Sequence, residues 1–221
     1  MFPSLRPGDA PVTTTSGGLR ITKIAVDYAM NNNAYLLECV RSGERALIDA
    51  AAEPDVLLEL IGLGALATVV TTHAHWDHHR ALAAVVRATD AAVVAGAADA
   101  AEITAQTSVI VDRAVTGGDV VMVGEVPLAV VSLVGHTPGS IALVHRPRGA
   151  APHAFTGDSL FPGGVGNTHG DPAAFASLLA GVRATLFDAL PDETVVHPGH
   201  GDDTTLGAER GSLDEWERRG W

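Results

Sequence analysis

The sequence predicts a layered α+β or mixed α/β domain rather than a doubly wound parallel sheet. Three observations carry this. Segments of strand and helix character follow one another as strands, helix, strand, helix, strands, helix, strand. The early strands are joined by turn chemistry of hairpin type, "NNN" at 31–33 and "SGE" at 42–44. The 221-residue chain is 47% hydrophobic, which suffices for one substantial core and leaves little for a second.

Taken in order, residues 1–18 are rich in Pro, Thr and Gly and read as an irregular lead-in to a single domain over 19–221. "LRITKIAVDY", "NAYLLECV" and "RALIDA" then have strand character. "EPDVLLELIGLGA" reads as a helix with Pro54 in its first turn and glycines near its end. "TVVTTHAH" is a buried strand that leaves its sheet at the histidines, and "DHHRALAAVVRAT" a helix with Asp77 at or beside its N-cap. "AAVVAG" is a short strand and "DAAEITA" a short helix or turn. "DVVMVGEVPLAVVSLV", "SIALVHRP" and "HAFTGDSLF" follow as strands. "DPAAFASLLAGVRATLFDAL" is a helix opened by Pro172, "ETVVHPGHG" a strand running into a loop, and the charged C-terminal stretch is of helical character.

The totals narrow the function. A formal net charge of −12 argues against a nucleic-acid partner, because phosphate contacts need clustered Lys and Arg. The N-terminus has no apolar leader and no apolar run is long enough for a bilayer, so a cytoplasmic protein without a membrane partner is expected. Cys39 is the single cysteine, which excludes an intramolecular disulfide and a thiolate metal site. A metal would have to be held by His and carboxylate.

Four of the ten histidines fall within "HAHWDHH", residues 73–79. In an extended chain residues two apart point the same way, so His73 and His75 converge on one point. The chain then turns, and Asp77 and His78 begin a helix whose N-terminus faces the same region, giving two half-built sites. A catalytic zinc-like ion wants three protein ligands and an open position. The remaining candidates are His136, Asp158 and His200, each placed after a β-branched run and a glycine that lets the backbone turn sharply.

These residues resemble the metallo-β-lactamase superfamily. The signature stands as His73, His75, Asp77 and His78, followed in order by "GHTPGS", "GDSLF" and "HPGHG". The resemblance implies a four-layer αββα sandwich with the site at one edge of two facing sheets. It also implies two divalent ions, zinc ahead of iron or manganese. His73, His75 and His136 would hold one ion, Asp77, His78 and His200 the second, with Asp158 bridging. Asp49 would support the site from behind. Two such ions about 3.5–4 Å apart bring the pKa of a shared water to about 7, so that hydroxide can attack an electron-poor carbonyl. Asp77 would orient that nucleophile and handle its proton.

Within the superfamily the motif set is similar to the glyoxalase II-like hydrolases, which implies a small-molecule thioester substrate. The loop after Asp158, "PGGVGNTHGD", differs from the Gly-Arg-rich loop of glyoxalase II, and Asn167 and His169 within it are the substrate-binding candidates. Two other activities on this fold remain open: a persulfide dioxygenase with one iron on His73, His136 and Asp158, and a lactonase. Trp76 is expected to pack under its turn, and His79 to stand outside the ligand set.

Overall fold

A computed structural model describes residues 2–220. Seven strands lie side by side in chain order in the first sheet: β1 (Val12–Ser16), β2 (Leu19–Val26), β3 (Asn32–Cys39), β4 (Arg45–Ile48), β5 (Leu66–Thr71), β6 (Ala92–Gly96) and β7 (Arg113–Val115). The first four are antiparallel and the last four parallel. Parallel neighbours need crossovers. These are supplied by α1 (Pro54–Ile61), α2 (Leu82–Thr89) and α3 (Ala100–Thr107).

The second sheet has six strands: β8 (Val120–Val123), β9 (Val126–Ser132), β10 (Ile141–His145), β11 (His153–Gly157), β14 (Val195–Pro198) and β15 (Thr204–Thr205), in the spatial order β15-β14-β11-β10-β9-β8. A small hairpin, β12 (Leu160–Phe161) with β13 (Gly164–Val165), stands apart from it. The helix α4 (Pro172–Val182) starts at Asp171, whose carboxylate accepts from the amides of Ala173 and Ala174, with Pro172 in the first turn. It runs into one π-helical turn, Arg183–Phe187, and α5 (Leu206–Arg210) and α6 (Leu213–Arg219) close the chain.

Strand alternation sorts the apolar residues into three cores. On β2, Leu19 and Ile21 face the second sheet, while Ile24 and Val26 face the helices. Tyr35, Leu37, Ile48, Val70 and Val94 meet Leu128, Val130, Leu143 and Phe155 in the inter-sheet core. Leu57, Ile61, Leu82 and Ile103 cover the outer face of the first sheet, and Phe175, Leu178, Phe187 and Trp216 that of the second. The four layers are therefore αββα, as expected.

Three expectations need correction. The lead-in is not irregular throughout: the β-branched run Val12–Thr15 pairs with β2 through a tight turn at Gly17 and Gly18. The asparagines at 31–33 are not all turn residues, since β3 begins at Asn32. The helix expected from Asp77 begins only at Leu82, because Trp76–His78 form a separate 3-10 turn whose amides bond to local carbonyls. Cys39 is buried between the sheets. No described helix is long and apolar enough to cross a membrane.

Candidate functional site

The carboxyl ends of β4, β5, β6, β11 and β14 all open on one edge of the sandwich, and the predicted residues leave the sheets there. The two sheets are tied at this edge by the Ile141 amide donating to the carbonyl of Thr72 at 3.0 Å and by the Asn33 amide donating to Gly199 O at 2.7 Å. Space is tight. A Cβ on Gly199 would lie 2.2 Å from Asp158 Oδ1 and 2.6 Å from His78 Cε1, so only glycine lets the third loop reach the others. Gly157 has φ +49° and leaves no room against Thr72.

All seven predicted donors meet. His73, His75 and His136 bring one ring nitrogen each within 4.8 Å of one another, and so do the donor atoms of Asp77, His78 and His200. Asp158 lies between the two groups, with Oδ1 3.3 Å from His78 Nε2 and Oδ2 3.3 Å from His200 Nε2 and 3.6 Å from His136 Nε2. Asp77 Oδ2 is 3.3 Å from His200 Nε2.

The far sides of four of the five imidazoles are fixed. His78 Nδ1 donates to Asp49 Oδ2 at 2.9 Å, and His136 Nδ1 donates to the carbonyl of Asn167 at 2.7 Å. His200 Nδ1 donates to Met30 O at 2.9 Å, and His73 Nδ1 lies 3.0 Å from Thr72 Oγ1, itself a donor to Asp49. These four rings therefore turn Nε2 inward. His73 Nε2, His136 Nε2 and Asp158 Oδ1 are buried and have no hydrogen-bond partner in the protein. Orphaned buried polar atoms are costly, and here they converge, which fits a donor set for a divalent cation.

Electrostatics separate the two groups. Burial, aided by neighbouring imidazoles, holds His73 well below the ordinary histidine value and lowers His75 and His136, leaving ring nitrogens free as lone-pair donors. His78 and His200 behave differently. Burial opposes their charge, but Asp158, with Asp49 or Asp77, outweighs it and raises them to about 10 and about 9. Burial would raise Asp77 and Asp158 too, yet the surrounding imidazoles hold both well below the carboxylate range. The pair of carboxylates draws positive charge to this point.

Several supporting residues escaped the sequence. Asn32 donates to Asp77 Oδ2 at 2.9 Å. Buried Asp99 accepts from Ala74 N, Thr137 Oγ1 and Gly139 N, tying the loop of His73 and His75 to the loop of His136. A lone Asn in a polar run and a lone Asp before a short helix carry no spacing signal. His79 is buried and bonds Ala74 O, outside the donor set. Trp76 does not pack under its turn: it is 54% exposed, with the Arg80 guanidinium over its ring at 4.6 Å. His169 is exposed, its ring 5.8 Å from that of His75 and 6.4 Å from that of His136. Asn167 contributes its carbonyl to His136 and its side chain to the His169 amide. A cavity of about 530 Å³ lined by Tyr28, Glu53, Val56 and Leu60 contains none of the donors.

Comparison with known proteins agrees with this geometry. The sequence pattern of the metallo-β-lactamase superfamily matches residues 27–200. The chain is 36% identical to hydroxyacylglutathione hydrolase of Polaromonas sp. over 184 residues, 81% of this chain and 66% of that relative. It thus spans slightly less than two thirds of that relative's length. Among solved structures, TTHA1623 in a di-iron-bound form is 32% identical with a TM-score of 0.67, covering 85% of this chain and 96% of that one. ETHE1 from Myxococcus xanthus is 28% identical with a TM-score of 0.74, covering 90% and 84%. The chain belongs to the metallo-β-lactamase superfamily, in its glyoxalase II-like branch.

Proposed function

We propose that this protein is a metal-dependent hydrolase that cleaves a thioester of a small thiol. The observation that carries the reading is the convergence of seven donors, with the buried Nε2 atoms of His73 and His136 and Oδ1 of Asp158 lacking a hydrogen-bond partner in the protein. The similarity to hydroxyacylglutathione hydrolases supports the thioester class.

His73, His75 and His136 would hold one divalent ion and Asp77, His78 and His200 the other, with Asp158 shared. Zinc suits these imidazole and carboxylate donors; iron and manganese are the alternatives. When bound, the ions supply Lewis acidity at the substrate carbonyl and a water acidic enough to attack it.

The protein groups set the geometry. Asn32 holds Asp77 Oδ2 so that this carboxylate faces His200 and can orient the attacking water and take up its proton. Asp49 and Asn167 fix the ring orientations of His78 and His136 from outside. Asp158, with one oxygen toward His78 and the other toward His200 and His136, offsets the repulsion between two cations. A thiolate is a good leaving group and departs without strong acid assistance. His169, at the open side of the first group, would contact the substrate.

A second reading rests on the similarity to ETHE1: one iron on His73, His136 and Asp158, acting as a persulfide dioxygenase. One assay separates the readings. The purified protein is given a panel of thioesters and lactones, and oxygen uptake is followed with a persulfide. Thioester turnover without oxygen uptake is expected; oxygen uptake with no thioester turnover would overturn the proposal.

A further inference from the structure

Of the fourteen basic residues in the chain, Lys23 is the only lysine, and it is completely buried. It follows Leu19 and Ile21 on the inner face of β2, a position the strand alternation assigns to an apolar side chain. An ammonium group there is costly unless it is paired and hydrogen-bonded. Lys23 Nζ meets both conditions. It donates to Asp203 Oδ1 at 2.8 Å and to the carbonyl of Gly201 at 2.8 Å.

Those partners follow His200 within three residues. The segment 198–201 arrives from β14 in the second sheet, yet its hydrogen bonds run mainly to the first. Pro198 O accepts from Tyr35 Oη at 2.7 Å and from Asn33 Nδ2 at 2.9 Å. Gly199 O accepts from the Asn33 amide at 2.7 Å, and Gly201 N donates to Asn31 O. Gly201 O takes Asn33 Nδ2 as well as Lys23. Beyond the loop, Asp203 Oδ2 accepts from His197 Nδ1 at 2.9 Å, so the carboxylate is held from two sides. Asp77 and His78 also follow a strand of the first sheet. The anchors therefore place His200 in the frame of its two partners rather than in that of its own strand.

We infer that Lys23 is a positioning residue for the second ion, fixing the His200 imidazole through Asp203 and the Gly201 carbonyl. This rests on the two-ion reading above. A flexible stem ending in three donors reaches both partners, whereas an apolar residue could fill the space but anchor neither. The same contacts would steady the fold, so the test must separate ion placement from stability.

The experiment is stepwise Zn²⁺ titration of the full chain against a chromophoric chelator, with thermal unfolding of the metal-free protein in parallel. The variants are Lys23→Met and the double variant Lys23→Met with Asp203→Asn, which leaves no unpaired buried charge and keeps an acceptor for His197 Nδ1 and the Phe2 amide. The Zn²⁺ step lost in His200→Ala identifies the second ion. In Lys23→Met that step is expected to fall at least about tenfold, the low end for outer partners of metal ligands, with the other step unchanged. The double variant should recover much of the unfolding temperature and still show the weakened step. No change in that step in a folded variant, or equal loss of both steps, would overturn the inference. If Lys23→Met does not fold, the double variant alone decides by the same criterion. A wild-type chain that takes only one Zn²⁺ contradicts the two-ion reading itself, and this inference with it.

Discussion

Asp49 Oδ2 accepts a hydrogen bond from His78 Nδ1 at 2.9 Å, while the other oxygen of Asp49 takes the Thr72 amide at 2.8 Å. One buried carboxylate thus fixes both the ring of His78 and the strand end that leads into His73. Asp49→Ala should weaken binding at the His78 ion by about 10–100-fold, measured by chelator competition. Undiminished affinity would mean that His78 needs no support from behind.

Asp158 touches both donor groups, so its loss should be the most damaging single change. In Asp158→Ala, thioester turnover should fall more than in His78→Ala or His200→Ala, each of which should lose mainly the second ion. The check is metal content with steady-state rates. Full activity and full metal occupancy in both histidine variants would contradict the two-ion assignment.

Asp99→Ala should destabilise the fold, because it strands the amides of Ala74 and Gly139 and leaves the hydroxyl of Thr137 with Ser140 alone. Each unsatisfied buried group costs about 1–3 kcal/mol, so a loss of several kcal/mol is expected in denaturant unfolding. Thr137→Val, which removes a single partner, should cost distinctly less.

Acid stability should be set partly away from the ligands. Burial, with the neighbouring imidazoles of His197 and His145, lowers His153 from 6.5 to about 4. Burial would raise Asp203, but His197 and Lys23 together bring it from 3.8 to about 2. Both groups bind fewer protons folded than unfolded, so their stabilisation is complete above the unfolded value and is lost as pH falls. The His153 part disappears between pH 6.5 and about 4, and the Asp203 part between 3.8 and about 2. Each is on the order of 2 kcal/mol. Denaturant midpoints of the metal-free protein against pH should show the decline, and His153→Gln should flatten its upper part. An unchanged profile in that variant would remove His153 from the account.

His169→Ala should leave metal content unchanged and alter the relative kcat/KM across a thioester panel, since the exposed ring borders His75 and His136 without joining their donor set. Identical selectivity would place the substrate elsewhere.

The donors were legible in the sequence because their chemistry forces local patterns. Histidines two apart on an extended chain converge, and glycine must precede a side chain that turns inward at a crowded edge; Gly157 and Gly199 show why. The helices around Leu57 and Leu178 were legible through their apolar periodicity. Lys23, Asn32 and Asp99 were not. Their partners lie 45 residues away for Asn32 and Asp77, and 180 for Lys23 and Asp203. The first contact exists only once the strands of the first sheet are paired, and the second only once the two sheets face each other. Trp76 was misjudged because an indole can cover its face with Arg80 instead of the core.

The central claim is that two ions sit in one edge cluster. It is tested most directly by anomalous diffraction from crystals of the zinc-loaded protein, recorded at the zinc absorption edge. Two peaks are predicted, one among His73, His75 and His136 and one among Asp77, His78 and His200, with Asp158 between them. A single peak on His73, His136 and Asp158 would contradict it.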